Sequence, residues 1–161
     1  MKSFFKNVQS GLAQRKGEGV LAGKIMRLGQ YSVRVESHVG EGGFASIYRV
    51  RETTTGQQFA LKHMRLAGDP ECIRDMTVEV QTMMTLRGKP HVLKLVAVGY
   101  AGPEHSRQEA YLLMDLCKES LVDYMTQRDF KLKDFEVVDI FRSVCAAVVA
   151  MHAQDPPMAH R

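Results

Sequence analysis

Between Tyr31 and Glu36 the chain alternates apolar and polar residues, with Tyr31, Val33 and Val35 set against Ser32, Arg34 and Glu36, the pattern of a half-buried strand. The alternation returns at Ile47-Tyr48-Arg49-Val50-Arg51. After a hairpin connection at residues 53–57, Phe59-Ala60-Leu61-Lys62-His63-Met64 reads as a third strand. Residues 92–98 and 111–116 predict two more, joined by the polar loop around Gly102-Pro103-Glu104-His105-Ser106, so a five-stranded sheet is expected. Helical signals are as distinct. Asp69 suits an N-cap with Pro70 at the first helical position, where its missing N–H costs nothing, and Gly88-Lys89-Pro90 closes that helix. A short helix is expected over 121–127 and a longer one over 135–152, stopped by Pro156-Pro157.

The long helix carries Val137, Val138, Phe141, Val144, Cys145, Val148 and Met151 as one broad apolar surface. Such a stripe needs several packing neighbours, and roughly 25 cal/mol per Å² is forgone wherever it has none. The chain supplies few residues after it, which implies that the helix was selected as part of a larger unit. Residues 1–24 show little periodicity and read as a flexible tail, although Phe4, Phe5, Val8 and Leu12 would share one face of a short helix.

Composition narrows the class. The chain has 161 residues, 45% hydrophobic and 25% charged, which fits one globular domain rather than disorder. A net charge of +4 with dispersed basic residues gives no nucleic-acid footprint. Three widely spaced cysteines, Cys72, Cys117 and Cys145, form no C-x-x-C pair and suggest neither a disulfide framework nor a zinc site, but incidental or buried thiols in a reducing cytosol. No run approaches the ~18 apolar residues of a membrane span, and no secretory or myristoylation pattern opens the chain.

The chemistry concentrates at Gly40-Glu41-Gly42-Gly43-Phe44-Ala45-Ser46-Ile47. A glycine-rich loop alone is a weak signal, since dinucleotide-binding folds use one to open a helix and an ordinary hairpin turn is also rich in glycine. Here the loop lies between alternating strands. Without a Cβ at Gly42 and Gly43, backbone N–H groups can approach phosphate oxygens, and Phe44 would cover the loop tip. Lys62 follows on an apolar strand, an expensive place for an ammonium unless anions meet it. Glu79, between Met76, Val80 and Met83 on the first helix, is either a surface glutamate or the partner of that lysine.

These residues identify a resemblance. From Leu21 to Arg161 the chain resembles the amino-terminal part of a eukaryotic Ser/Thr protein kinase, and within that superfamily the Numb-associated group, which includes the cyclin-G-associated and adaptor-associated kinases. The segments that carry it are Leu28-Gly29-Gln30-Tyr31-Ser32-Val33-Arg34-Val35, Glu41-Gly42-Gly43-Phe44-Ala45 with Ala45 in place of a third glycine, Met114-Asp115-Leu116-Cys117-Lys118, and Met151-His152 through Pro156-Pro157-Met158-Ala159-His160-Arg161. It covers most of this chain and about half of a kinase domain.

The resemblance implies an α+β fold: a kinase N-lobe over 25–116, then the hinge and first helices of an incomplete C-lobe over 117–161. It implies ATP as phosphoryl donor, with Lys62 on the α- and β-phosphates and Glu79 as its ion-pair partner. The Asp115 carbonyl and Cys117 amide would meet the adenine edge, with Met114 behind it and Val39, Ile47, Ala60 and Leu116 as apolar walls. It further implies a cytoplasmic protein, peripheral to vesicles, with clathrin-adaptor or vesicle-traffic proteins as substrates. The residues that would hold Mg²⁺, a catalytic-loop Asn and an Asp-Phe-Gly, have no counterpart here, and His160-Arg161 is not followed by the catalytic Asp. Asp155, in a loop before two prolines, is a poor substitute. Two functions are therefore expected to compete: the amino-terminal piece of an active kinase, inactive by itself, or a non-catalytic module that binds nucleotide or a partner.

Overall fold

Phe59, Ala60 and Leu61 are buried in succession, which a strand permits only when both of its faces are covered. In the computed structural model, which describes residues 20–42 and 45–159, that strand is the centre of the fold. β1 (Ile25–Leu28), β2 (Tyr31–Gly42), β3 (Ala45–Glu52), β4 (Gln58–Arg65), β5 (Leu95–Ala101) and β6 (Glu109–Asp115) form one antiparallel sheet in the order β1-β2-β3-β4-β6-β5. One face carries Val33, Val35, Val50, Phe59, Leu61 and Leu113 beneath Leu21 and Leu28. The other carries Ala60, Leu112, Met114 and Leu95 against Met76 and Val80 of α1 (Pro70–Thr85).

The fold is α+β as expected, but the sheet has six strands among the described residues, not five. The additional strand, β1, is four residues long and turns into β2 through Gly29-Gln30, with Gly29 at φ +59° supplying the left-handed conformation. The tail boundary also moves. Leu21 is buried, the Gly23 N–H donates to the Val35 carbonyl at 2.9 Å and the Val35 N–H to the Lys24 carbonyl at 2.9 Å, so residues 21–24 belong to the sheet's cover. The amphipathic face drawn through Phe4, Phe5, Val8 and Leu12 lies outside the described residues.

Local chemistry sets the connections. Glu52 closes the β3–β4 hairpin, its carboxylate accepting from the N–H groups of Thr54 and Thr55 and from the Thr55 hydroxyl. Asp69 caps α1: its Oδ1 accepts from the Glu71 N–H at 3.0 Å, and Pro70 takes the first helical position. After β6 come α2 (Leu121–Thr126) and α3 (Asp134–His152). Glu136 joins them, accepting from the Tyr124 hydroxyl at 2.5 Å and the Lys133 N–H at 2.9 Å. The apolar stripe of α3 is uncovered, with Phe141 at 69% and Val149 at 66% exposure, and no residue of this helix is buried.

Candidate functional site

Lys62 stands on β4 with Ile47 of β3 and Leu112 of β6 as its lateral neighbours, on the face of the sheet that α1 packs against. Two side chains of α1, Met76 and Val80, are buried in that cluster, and they fix the rotation of the helix. Residue 79, three after the first and one before the second, is thereby turned to the sheet. The result is an ion pair: Lys62 Nζ donates to Glu79 Oε1 at 2.5 Å. Both side chains keep some solvent, 22% for Lys62 and 34% for Glu79. A pair so exposed adds little to stability. Its use is positional, holding an ammonium still while leaving it open to a second anion.

The walls expected around Lys62 are mostly brought together. Ala60 and Met114 are buried in the α1-side cluster and pair across β4 and β6, while Ile47 and Leu116 pack against the same cluster half-buried. Val39 stands outside that buried cluster. It is 48% exposed because the register of β2 against β3 slips between His38 and Gly40, leaving Val39 as the unpaired residue of a bulge. Beyond the bulge Gly40 pairs with Ile47, Glu41 with Ser46 and Gly42 with Ala45, so the glycine-rich segment is a hairpin whose arms lead toward Lys62. Its tip, Gly43 and Phe44, lies outside the described residues, as does His160-Arg161. A Cβ built on Gly40 would meet nothing within 4 Å among the described residues.

Asp115 ends β6 opposite Phe59, and its N–H donates to the Lys94 carbonyl at 3.2 Å. Cys117 follows as an exposed free thiol, and Cys145 on α3 is exposed as well, so neither is the buried residue that one reading of the sequence allowed. Cys72 is half-buried, and its thiol, which donates to Asp69 Oδ2 at 3.4 Å, is pushed up from its ordinary value chiefly by that carboxylate.

On its far side Glu79 borders a cavity of about 590 Å³ between α1 and α3, lined also by Met83, Leu86, His91, Leu93 and Met151. Sequence reasoning missed it because residues 92–94 read as strand. They lie in the connection before β5, which His91 enters at φ +59°. Among the described residues no cluster of three or more His, Cys, Asp or Glu is placed to hold a metal ion. The donor set for magnesium does not assemble there. None of the described helices is long and apolar enough to cross a membrane.

Comparison with known proteins gives the family. The family profile of the protein kinase domain matches residues 33–161. The serine/threonine-protein kinase ppk30 of Schizosaccharomyces pombe is 32% identical over 143 residues, covering 87% of this chain and 15% of that protein. The serine/threonine-protein kinase AKL1 of Saccharomyces cerevisiae is 32% identical over 157 residues, 86% of this chain and 14% of that one. Actin-regulating kinase 1 of the same yeast is 26% identical over 147 residues, 86% and 23% respectively. The chain thus spans between 14% and 23% of the length of these relatives.

Proposed function

The chain belongs to the protein kinase domain family, and on that premise we propose that it is the nucleotide-binding, amino-terminal part of a protein serine/threonine kinase. The observation that carries the reading is the Lys62–Glu79 pair at 2.5 Å beside a glycine-rich hairpin. In this reading Lys62 binds the α- and β-phosphates of ATP, and Glu79 keeps the ammonium from swinging away when the nucleotide leaves. The glycine-rich hairpin supplies backbone N–H groups to the phosphates. Ile47, Ala60, Met114 and Leu116 exclude water from the adenine, whose edge meets the Asp115 carbonyl and the Cys117 amide. Residues 25–116 then act as one lobe, with 117–161 as hinge and the start of the next.

These 161 residues contain neither an Asp-Phe-Gly nor a His-Arg-Asp sequence, so the chain by itself binds nucleotide without transferring phosphate. Magnesium and the catalytic base belong to the parent enzyme. An ATP-derived acyl phosphate, which transfers its acyl group to a lysine amine with loss of the nucleotide, tests the reading. It labels Lys62, and ATP protects against labelling. Label absent from Lys62, or indifferent to ATP, refutes it.

The finer placement in the Numb-associated group rests on Leu28-Gly29-Gln30-Tyr31, Glu41-Gly42-Gly43-Phe44-Ala45 and Met114-Asp115-Leu116-Cys117-Lys118. With it come clathrin-adaptor proteins as substrates and a cytoplasmic setting on vesicles. Fractionation of cells expressing the parent protein decides it: enrichment with coated vesicles supports the placement, and a uniformly soluble distribution removes it.

A further inference from the structure

His63 follows Lys62 on β4 and turns to the opposite face of the sheet, where it is 3% exposed. Its Nε2 is buried without a hydrogen-bond partner. The imidazole lies flat on the Tyr111 ring of β6, centroids 5.0 Å apart and planes 6° from parallel. Glu109, two residues before Tyr111, holds one carboxylate oxygen 3.5 Å from Nε2 and accepts the Tyr111 hydroxyl on the other. Three titratable groups thus interlock on the β4–β6 pair, directly behind the lysine of the candidate site.

We propose that this His63–Glu109–Tyr111 cluster is an acid-sensitive latch, which holds β4 against β6 while His63 is neutral and releases the pair when His63 takes up a proton. The neutral ring suits its site, since a buried Nε2 without a hydrogen-bond partner asks for an uncharged group. A charged ring suits it poorly: burial is the largest influence on His63 and lowers its affinity for a proton. The charged groups around it divide. Glu109 of β6 favours the proton, whereas Arg65 on β4 and Lys24 on the segment before β1 oppose it. Tyr111 does not supply a second anion, because burial and Glu109 hold its phenol protonated well above the ordinary range.

The direction follows from linkage. A base whose folded pKa is depressed leaves the native state binding fewer protons than the open one below 6.5, so the latch weakens as pH falls from there toward the folded value. Within that window the equilibrium constant for opening rises by at most about tenfold per pH unit. Release would loosen β4 at Lys62. Any effect on nucleotide rests on the reading proposed above, so the test is made without nucleotide.

Amide hydrogen exchange of the β4 and β6 segments is measured at neutral pH and one unit below 6.5, in the wild-type chain and in His63→Phe, which keeps the stacking and cannot titrate. Comparing the two proteins at each pH cancels the intrinsic pH dependence of exchange. The expected result is an acid-induced loss of protection in the wild type that is absent from the variant. Equal acid responses, or none in the wild type, overturn the proposal. Should His63→Phe fail to fold, the imidazole carbon resonances of His63 in the wild-type chain serve instead. A titration midpoint below 6.5 upholds the latch, and one at or above it removes it.

Discussion

Gly99 of β5 and Leu28 of β1 meet where the two ends of the sheet curl toward each other: a Cβ added at Gly99 would lie 2.4 Å from Leu28 Cδ2. The two strands occupy opposite edges in the sheet order, so this contact is what closes the outer face. Leu28 is buried and has little room to retreat. Gly99→Ala is expected to cost about 1–3 kcal/mol through overpacking. Adding Leu28→Ala to it should cost less than the sum of the two single changes, because the truncated side chain vacates the space the methyl needs. Thermal and urea unfolding followed by circular dichroism measure this; strict additivity would show that the edges do not touch.

Asp69 has two roles that one substitution separates. As cap of α1 it accepts from the Glu71 N–H, and Asp69→Ala should lower stability by about 1 kcal/mol while Asp69→Asn retains most of it. As neighbour of Cys72 it keeps that thiol protonated. Iodoacetamide should therefore modify the exposed Cys117 and Cys145 well before Cys72, and Asp69→Asn, which keeps the cap and removes the charge, should speed the reaction at Cys72. Mass spectrometry of the alkylated peptides reads the order. Cys72 reacting first would contradict the arrangement.

Glu136 ties α2 to α3, and the tie depends on pH. The Tyr124 hydroxyl, then the Lys133 N–H, hold its carboxyl below the ordinary 4.5. A depressed carboxylate contributes stability that is present above 4.5 and lost as pH falls through the lower folded value. Tyr124→Phe should thus destabilise the chain at neutral pH, and the gap from wild type should shrink in acid. Urea midpoints of both proteins, at neutral pH and well below 4.5, test this. A gap that does not change with pH would assign the effect to packing.

Much of this architecture was legible in the chain, and the failures have local causes. The central strands were visible because β3 alternates and β4 buries a continuous apolar run, and α1 because Asp69 and Pro70 mark its start. β1 was not: four residues are too few to show a period, so Gly29-Gln30, although glycine-first as a two-residue hairpin allows, had no recognisable strand before it. Residues 92–94 carry strand-like side chains but enter from His91, whose left-handed backbone no composition rule foretells. At the site, helix spacing beside Met76 and Val80 turned residue 79 toward the sheet but left Glu79 either a surface glutamate or a partner, and it was the kinase resemblance that paired it with Lys62, as the structure does. Val39 entered the expected wall by resemblance, and the register slip that leaves it unpaired appears only when two strands are laid side by side.

In the function proposed for this chain, Lys62, held by Glu79, is a phosphate-binding ammonium. The most direct test of that role is the affinity of the chain for ATP, by calorimetry, beside that of Lys62→Met. Measurable binding by the wild type is expected, with a loss of at least about tenfold in the variant, the scale of one charge-assisted hydrogen bond, and unfolding little changed because the pair is partly exposed. Equal affinity in the two proteins, or no binding by a folded wild type, would contradict it.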